Sequence, residues 1–541
     1  MRFVFIAGML AAAASAQVTG PLLGWLPVGT EIRPMNGFPA AATLGRAANV
    51  GHTLTNMAVS PSQNYVLATD AESGDVLLVV AGVSATTLDV VTRPDRIVTS
   101  PSGSSAVLWY STAGQFEILS GLPSTPAIHQ VDGSFLKKAF PAIAVSDDGQ
   151  WIATASSAGV YQWGQDGAQQ QVYGGSDAAA VAFFAGSSDL AIATSTRLLS
   201  VAGSAASVLY QGSFVPGGLA TSFDNKEIVM ADRSGMIYSV NAASLATSTL
   251  DCQCQPSGVF GLGGALFRLT ASNIGAIKLF DAEAGTILAV PGDDLKITPR
   301  RLTHPAQASA TLPTITISLS PTPTGYLQQP AITITASSAS ATEIDGNVVL
   351  TFVSASLTSA AVGQTDQTIQ FSTGGTSVNF TIPAGSTKGN FSGAPSVTFS
   401  TGTTTGTITL TANVTAPTAA SAVATQTIIN KPTVPSISTV QLLQTPGGVT
   451  VIVTGYSSTD DVVSGLFTFS LSSKASLTDN DIPVSLSPYF QPYYATTASY
   501  ATGSEFTLMV PFSINGNPND LVGVSVVLIN AIAASNPVSS Q

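Results

Sequence analysis

The chain has 541 residues, 45% hydrophobic and only 9% charged, with a formal net charge of −12. That length predicts roughly two to four domains. A Lys/Arg-poor acidic chain lacks the electrostatic footprint of a nucleic-acid binder and has no attraction for anionic membrane surfaces. Ser, Thr, Gly and Ala take the place of charge, which suits an extracellular β protein better than a cytosolic enzyme.

The N-terminus reads as a secretory signal. Met1-Arg2 is a short basic start, Phe3 to Ala14 is apolar, and Ala14-Ser15-Ala16 has the small-x-small form of a cleavage site. The apolar run is too short to cross a bilayer, which takes roughly 20 residues. The expectation is a signal peptide over 1–16, a mature chain from Gln17, and no membrane span after cleavage. The protein is expected in an extracytoplasmic place: periplasm, outer surface or medium.

From Gln17 to about residue 305 one phrase keeps returning. Val59-Ser60-Pro61-Ser62-Gln63-Asn64-Tyr65 has degenerate copies at Ser100-Pro101-Ser102-Gly103, Ser146-Asp147-Asp148-Gly149, Ala185-Gly186-Ser187-Ser188, Phe223-Asp224-Asn225-Lys226 and Gly263-Gly264. Aligned on Pro61, the copies fall at Pro101, Asp147, Ala185, Phe223 and Gly263, 38 to 46 residues apart. That period belongs to four-stranded propeller blades. In each copy a short apolar strand enters a turn of Ser, Pro, Asp, Gly or Asn, and a second strand follows, as in Trp151–Ala155 or Glu227–Ala231. Gly supplies positive φ, and Asp or Asn bonds its own backbone. Six repeats are visible. The remnants 20–50 and 282–302 are each about half a blade, and pairing them predicts a seventh; six complete blades is the alternative.

The stretch Ser146-Asp147-Asp148-Gly149-Gln150-Trp151 resembles the Ser-Pro-Asp-Gly turn of the bacterial YVTN and WD40-like propellers, and Lys278-Leu279-Phe280-Asp281 resembles their outer-strand signature. The resemblance implies a fold and leaves the activity open, because such propellers include enzymes, binders and scaffolds.

Residues 306–312 read as a linker, after which the period changes. Thr314–Leu319 alternates apolar and hydroxyl residues as a half-buried strand does. Further runs lie at Ala331–Ala336, Val348–Val353, Thr368–Phe371, Ser377–Ile382, Ser396–Phe399 and Thr407–Asn413. This predicts an immunoglobulin-like sandwich over 313–415, without the Cys…Trp…Cys core of antibody domains. A Thr/Ala/Pro-rich linker over 416–435 is expected before a second sandwich, 436–541. Its strands are expected at Ser438–Leu443, Val449–Thr454, Gly465–Leu471, Glu505–Val510 and Val522–Ile529. Gln370–Gly375, Val378–Ala384 and Thr407–Ala412 resemble the shared sandwich signature of a family of secreted proteins of soil bacteria. That resemblance implies architecture and location, and brings no reaction with it.

Candidate chemistry is sparse. Cys252 and Cys254 are the only cysteines. A local disulfide at the entry to the sixth repeat is expected in a secreted chain, with free thiols or a metal as alternatives, although residues two apart in a strand sit wider than a disulfide prefers. Tyr489, Phe490, Tyr493, Tyr494 and Tyr500 form an aromatic cluster that fits either a sugar- or peptide-binding platform or a loop tucked over the sandwich core. The three histidines, His52, His129 and His304, lack metal-ligand spacing and read as solvated loop residues. The acidic pairs Asp147-Asp148, Asp293-Asp294, Asp460-Asp461 and Asp479-Asn480-Asp481 match no EF-hand loop and read as turn chemistry. There is no Gly-x-Ser-x-Gly elbow, P-loop or His-Glu-x-x-His. The sequons at Asn379, Asn390 and Asn413 read as chance.

The expectation is an all-β chain, an N-terminal propeller followed by two β-sandwiches. It is expected to bind rather than catalyse, with the propeller as interaction scaffold and the sandwiches as spacer or adhesive modules. The expected partner is a protein or glycan at the cell surface, with no catalytic residues, metal or cofactor. The rival is a propeller-based hydrolase, lactonase-like or polysaccharide-active, with its site on one propeller face. A third reading is a passive component of an envelope or matrix.

Overall fold

The computed structural model describes residues 10–12, 16–80, 84–136, 142–203, 205–270, 275–292, 312–355, 366–417, 419–472, 480–514 and 517–540. The chain divides into two compact units: Gly24–Met35 with Leu44–Ala289, and Met1–Leu23 with Asn36–Thr43 and Val290–Gln541. Both are all-β.

The repeat unit is propeller-like. Its described residues form six four-stranded antiparallel sheets in chain order, running from Leu54–Val59, Tyr65–Asp70, Val76–Val80 and Ser84–Thr87 to Phe260–Gly261, Leu266–Arg268, Ile277–Asp281 and Thr286–Val290. Each recurring phrase is the turn between the first and second strand of one sheet. The same hairpin bond closes five of them, Ser60 N to Tyr65 O, Ser100 N to Ser105 O, Ser146 N to Trp151 O, Phe184 N to Asp189 O and Ser222 N to Glu227 O, and the sixth closes one residue shorter, Leu262 N to Leu266 O. In four of the copies the fourth turn residue is left-handed: Gln63 (φ 60°), Gly103 (79°), Gly149 (68°) and Asn225 (59°). Only Gly takes that conformation without penalty, and Asn tolerates it best of the rest.

Neighbouring sheets share small apolar cores, which explains why the strands are nearly continuous runs of Val, Ile, Leu and Ala. Tyr65, Leu67 and Leu78 pack with Ile97, Leu108 and Leu119. Val107, Trp109 and Ile118 pack with Val145, Ile152 and Trp163. The series continues from sheet to sheet until Val229 and Ile237 meet Phe267 and Phe280.

Thr286–Val290, expected to contribute half of a seventh blade, is instead the fourth strand of the sixth sheet. The apolar pattern of this strand completes the sheet begun at Phe260. The N-terminal remnant makes a three-stranded sheet of its own, Leu22–Val28, Glu31–Asn36 and Thr43–Leu44. Its Trp25 and Ile32 cover Val66, Ala68, Leu77 and Val79 on the first four-stranded sheet.

The other unit holds two sandwiches. In the first, a three-stranded sheet (Ile315–Ser320, Ala331–Ala336, Val397–Thr398) and a four-stranded sheet (in spatial order Ser377–Ile382, Ile344–Ser354, Gly406–Ala416, Ala420–Asn430) enclose one core of Ile332, Ile334, Val348, Leu350, Phe371, Phe380 and Leu410. Two expectations change here. The 416–435 segment is not a linker throughout, because Ala420–Asn430 pairs along Gly406–Ala416. Thr368–Phe371 is not a strand: Asp366 draws the Thr368 amide and hydroxyl into a turn, and Phe371 reaches Phe399 through an isolated bridge.

The second sandwich sets Glu505–Ile514, Gly448–Tyr456 and Ser436–Thr445 against Asp481–Ser485, Ser464–Leu471, Leu521–Ile529 and Val538–Ser539. Val451, Val453, Phe467, Phe469, Leu508 and Phe512 fill its core. Two N-terminal segments add to the Glu505–Ile514 edge. Leu10–Ala12 pair with Phe512–Ile514, Gln17–Thr19 pair with Thr507–Met509, and Ala16 is buried in the same core.

Candidate functional site

In the repeat unit the recurring turns do more than reverse the chain. Tyr65 OH donates to Gly103 O at 2.6 Å, joining the first sheet to the second. Asp147 joins three sheets: Oδ1 accepts Ser102 N–H (2.8 Å) and Ser102 Oγ–H (2.6 Å), and Oδ2 accepts Gly186 N–H (2.7 Å). Asn225 joins the fourth and fifth, its Oδ1 accepting Ala185 N–H at 2.7 Å and its Nδ2 donating to Ala185 O at 2.8 Å. Phe223 N–H donates to Gly264 O at 3.3 Å. Gln63 Nε2 then donates to Gly261 O at 3.1 Å, returning from the sixth sheet to the first, while Gln63 Oε1 accepts Trp25 N–H at 2.9 Å. The series of sheets closes on itself through its turns. Asp148 does the local work expected of the acidic pair, accepting Ser146 Oγ–H and Gln150 N–H. Asp147 does not: its bonds reach other sheets, which a repeat-by-repeat reading cannot see.

A cleft of about 780 Å³ opens beside the first sheet, lined by Glu31, His52, Asp70, Glu72 and Asp75 together with Thr30, 47–51, Thr53 and Ser73. His52 Nδ1 bonds Asp70 Oδ2 at 2.5 Å. Asp70 Oδ1 accepts the Glu72 and Ser73 amides. The His52 bond, then the Glu72 amide, holds the Asp70 carboxyl below its ordinary range. The fifth sheet repeats this arrangement. Asp232 also ends a second strand, caps the next turn through Ser234 N–H, and accepts Val215 N–H from the segment before the first strand. His52 therefore does with a side chain what Val215 does with an amide: it ties the incoming loop to the turn after the second strand. Glu31 and Glu72 are exposed on the cleft wall and Asp75 is half-buried. Arg93 donates to the Glu72 carbonyl from outside the lining.

Among the described residues, the remaining sequence candidates do not line this cleft. His129 is exposed on the outer strand Ala127–Asp132 of the second sheet. His304, Asp293, Asp294 and Asp479 lie outside the described residues. Cys252 and Cys254 are disulfide-bonded across Gln253, which is left-handed at φ 49°, and this kink brings their Cα atoms to 5.1 Å. Cys252 is buried in the core shared by the fifth and sixth sheets. Among the described residues no three His, Cys, Asp or Glu side chains form a metal-holding group.

The aromatic cluster is not a binding platform. Ser487–Tyr494 is a helix that buries Phe490, Tyr493 and Tyr494 in the second sandwich core, with Tyr489 half-buried against it. Pro488 is tolerated in the first helical turn, where its missing N–H has no partner to lose. Tyr493 OH donates to Glu505 O (2.7 Å) and Tyr494 OH to Ser504 O (2.9 Å), and burial raises the Tyr493 phenol to about 12.

These tyrosines border a polar joint between the two sandwiches that the sequence reading missed. Thr401, Thr403, Thr405, Ser457, Ser458, Ser504 and Glu505 are fully buried there. Bonds cross it: Thr405 N–H to Ser458 O, Ser504 N–H to Thr403 Oγ1, and Thr404 Oγ1 with Ser504 Oγ. Asp366 Oδ2 accepts the Thr403 and Thr404 amides, and Oδ1 accepts Thr368 N–H and Oγ1–H. Asp460, expected as turn chemistry, is left-handed at φ 55° and accepts Ser504 Oγ–H at 2.6 Å, so it too belongs to the joint. Glu505 Oε2 accepts Phe38 N–H at 2.9 Å, while Oε1 is buried without a hydrogen-bond partner. Burial, then the nearby Asp366 charge, raises the Glu505 carboxyl well above its ordinary range. The alternation of Glu505–Ile514 turns Phe506, Leu508, Val510 and Phe512 into the sandwich core and Glu505 to the other face, so it is the joint that buries Glu505 and no period in the sequence signals it.

The chain matches no family model and no curated protein. Among solved structures it is similar to apo AztD from Citrobacter koseri at TM-score 0.34 and 12% identity, over 59% of this chain and 89% of that one. A second Citrobacter koseri AztD structure gives TM-score 0.34 and 13% identity, over 59% and 88%. KlHsv2 with loop 6CD replaced by a Gly-Ser linker gives TM-score 0.34 and 6% identity, over 50% and 97%.

Proposed function

We propose that this is a secreted, non-enzymatic binding protein. Its WD40-like repeat unit is the interaction scaffold, and its immunoglobulin-like sandwiches are spacer or adhesive modules. The cleft at the first sheet is the binding site, and it takes a ligand carrying ammonium or guanidinium groups, such as a basic segment of a cell-surface protein. One observation carries this reading: Glu31, Glu72 and Asp75 face a cavity of ligand size, while the His52–Asp70 pair is engaged in tying two loops together.

The rival hydrolase reading draws on that same pair, since a histidine oriented by a carboxylate is the base half of a catalytic triad. The Val215–Asp232 link in the fifth sheet argues for the structural role, because the same tie is made there without an imidazole. The two readings separate in one set of assays on the secreted chain, using lysine-rich peptides, neutral glycans, and ester and lactone substrates. The binding reading predicts saturable uptake of the cationic peptides that weakens with salt, and no turnover. Turnover of an ester or lactone that His52→Ala abolishes, without cationic binding, would falsify it.

A further inference from the structure

Glu505 is fully buried, and among the described residues neither it nor Asp366 is in an ion pair. An ionised Glu505 would have given up its hydration for a single hydrogen bond, from Phe38 N–H to Oε2. It would also stand near Asp366, whose oxygens accept four N–H and O–H donors, the pattern of an ionised carboxylate. The elements packed around Glu505 are the segment Asn36–Thr43, the strand Gly448–Tyr456 and residues 401–405, 457–461 and 487–504. They carry two more acids, Asp460 and Asp461, and the phenols of Tyr456, Tyr489, Tyr493, Tyr494 and Tyr500, but no Lys, Arg or His. With no base to balance it, the charge is removed by a proton on Oε1. The hydroxyl so formed has no acceptor, but one unmade hydrogen bond costs less than a buried, unpaired charge.

Glu505 also grips one segment of the chain. Phe38 N–H donates to its Oε2 at 2.9 Å, and a Cβ on Gly37 (φ 100°) would lie 2.8 Å from the same oxygen, so the backbone is packed directly against the carboxyl. Two further ties hold the segment: Thr43 Oγ1–H to Ala501 O at 2.8 Å, and Gln329 Nε2–H to Ala40 O at 3.0 Å. Both are made by neutral groups that do not titrate. Of the three ties, only the one to Glu505 responds to pH.

We infer that Glu505 is a proton-operated latch: neutral, it holds Asn36–Thr43 in the joint between the sandwiches, and ionised, it releases that segment. The proton leaves to water, and the charge it leaves behind is stable only where water reaches it, so the segment lifts. The sign follows from the direction of the shift, burial first and the Asp366 charge second raising this carboxyl well above its ordinary range. The latch is fully closed below the ordinary carboxylate value of ~4.3. It loosens as pH rises from there through the raised value of the closed state.

The test is hydrogen–deuterium exchange of the full chain, reading by mass spectrometry the peptide that carries Phe38, with rates corrected for the pH dependence of intrinsic exchange. Loss of one proton lowers protection by at most about tenfold per pH unit, and a fall of at least about tenfold is expected between about pH 5 and pH 7. A peptide covering Val449–Val453 in the sandwich core reports opening of the whole unit. At about pH 7 the Phe38 peptide is expected to be at least about tenfold less protected than this core peptide, because the segment opens without it. Glu505→Gln keeps an acceptor for Phe38 N–H and does not ionise, and its protection is expected not to vary with pH. A change below about twofold in the wild-type chain between those pH values overturns the inference whatever the variant does. Equal protection of the two peptides overturns it as well, and so does an equal fall with pH in Glu505→Gln. The latch lies in the sandwich unit, so its failure leaves the cleft reading in the repeat unit intact.

Discussion

Asp147 and Glu505 are both acids at seams between sheets, yet they are handled in opposite ways. Asp147 sits in a recurring turn, and both of its oxygens accept donors from other sheets. Glu505 sits in the joint of two sandwiches with one oxygen bonded and the other alone. The contrast teaches that an acid on a seam is structural when neighbouring amides and hydroxyls satisfy it. It points to a bound proton when burial leaves part of it unsatisfied. The cleft acids Glu31 and Glu72 are a third case, exposed to solvent on the cleft wall.

The largest effect should come from breaking the satisfied case. Asp147→Ala removes three hydrogen bonds to a carboxylate, each worth about 1.5–3 kcal/mol in favourable settings. Asp147 is half-exposed, so the expected loss is about 3 kcal/mol. Trp25, Trp109, Trp151 and Trp163 all lie in the repeat unit, so urea unfolding followed by tryptophan fluorescence reads this unit alone. A loss below about 1 kcal/mol, the worth of one ordinary hydrogen bond, would mean that the turn links do not hold the sheets together.

Asn225 separates linking from backbone conformation. Asn225→Ala loses both bonds to Ala185 and also places a Cβ-bearing residue at φ 59°. It should cost about 2–3 kcal/mol, of which about 1 kcal/mol is the left-handed penalty. Asn225→Gly removes the bonds without that penalty and should fall between Ala and wild type. Equal losses for the two variants would mean that conformation contributes nothing.

The smallest effect belongs to Asp224, an exposed acid in the same turn. Hydrogen bonds from Lys226, first, and Ser222 hold its carboxyl at about 2. Its folded pKa lies below the ordinary ~3.9. The stabilisation is therefore complete above about pH 4 and disappears as pH falls toward 2. Because the side chain is half-exposed, the amount is at most about 1 kcal/mol. The difference between wild type and Asp224→Asn should shrink over that pH range, and a difference that grows toward low pH would reverse the assignment.

Much of the repeat unit was legible in the sequence because its turns need particular residues. Ser, Pro, Asp, Gly and Asn at fixed places announced every first hairpin, and the two cysteines announced their pairing. What failed did so for physical reasons. Ala420–Asn430 has the Thr/Ala composition of a linker, and its pairing along Gly406–Ala416 is a tertiary fact. The aromatic cluster looked like a surface because Pro488 and Pro492 hid a short helix. Asp147 looked like a second turn acid because its partners are Ser102 and Gly186, 45 and 39 residues away. Glu505 was one polar residue in an alternating strand, and only the packed joint shows that it is buried.

The central claim is that the acids left free of structural work form the binding site, and it is tested most directly in the cleft. The measurement is the affinity of a lysine-rich peptide for the wild-type chain and for the Glu72→Gln/Asp75→Asn double variant, at one ionic strength, with the urea midpoint of each. The account predicts affinity at least about tenfold weaker in the variant, about 1.4 kcal/mol, with the midpoint unchanged. Unchanged affinity with both charges removed would contradict it.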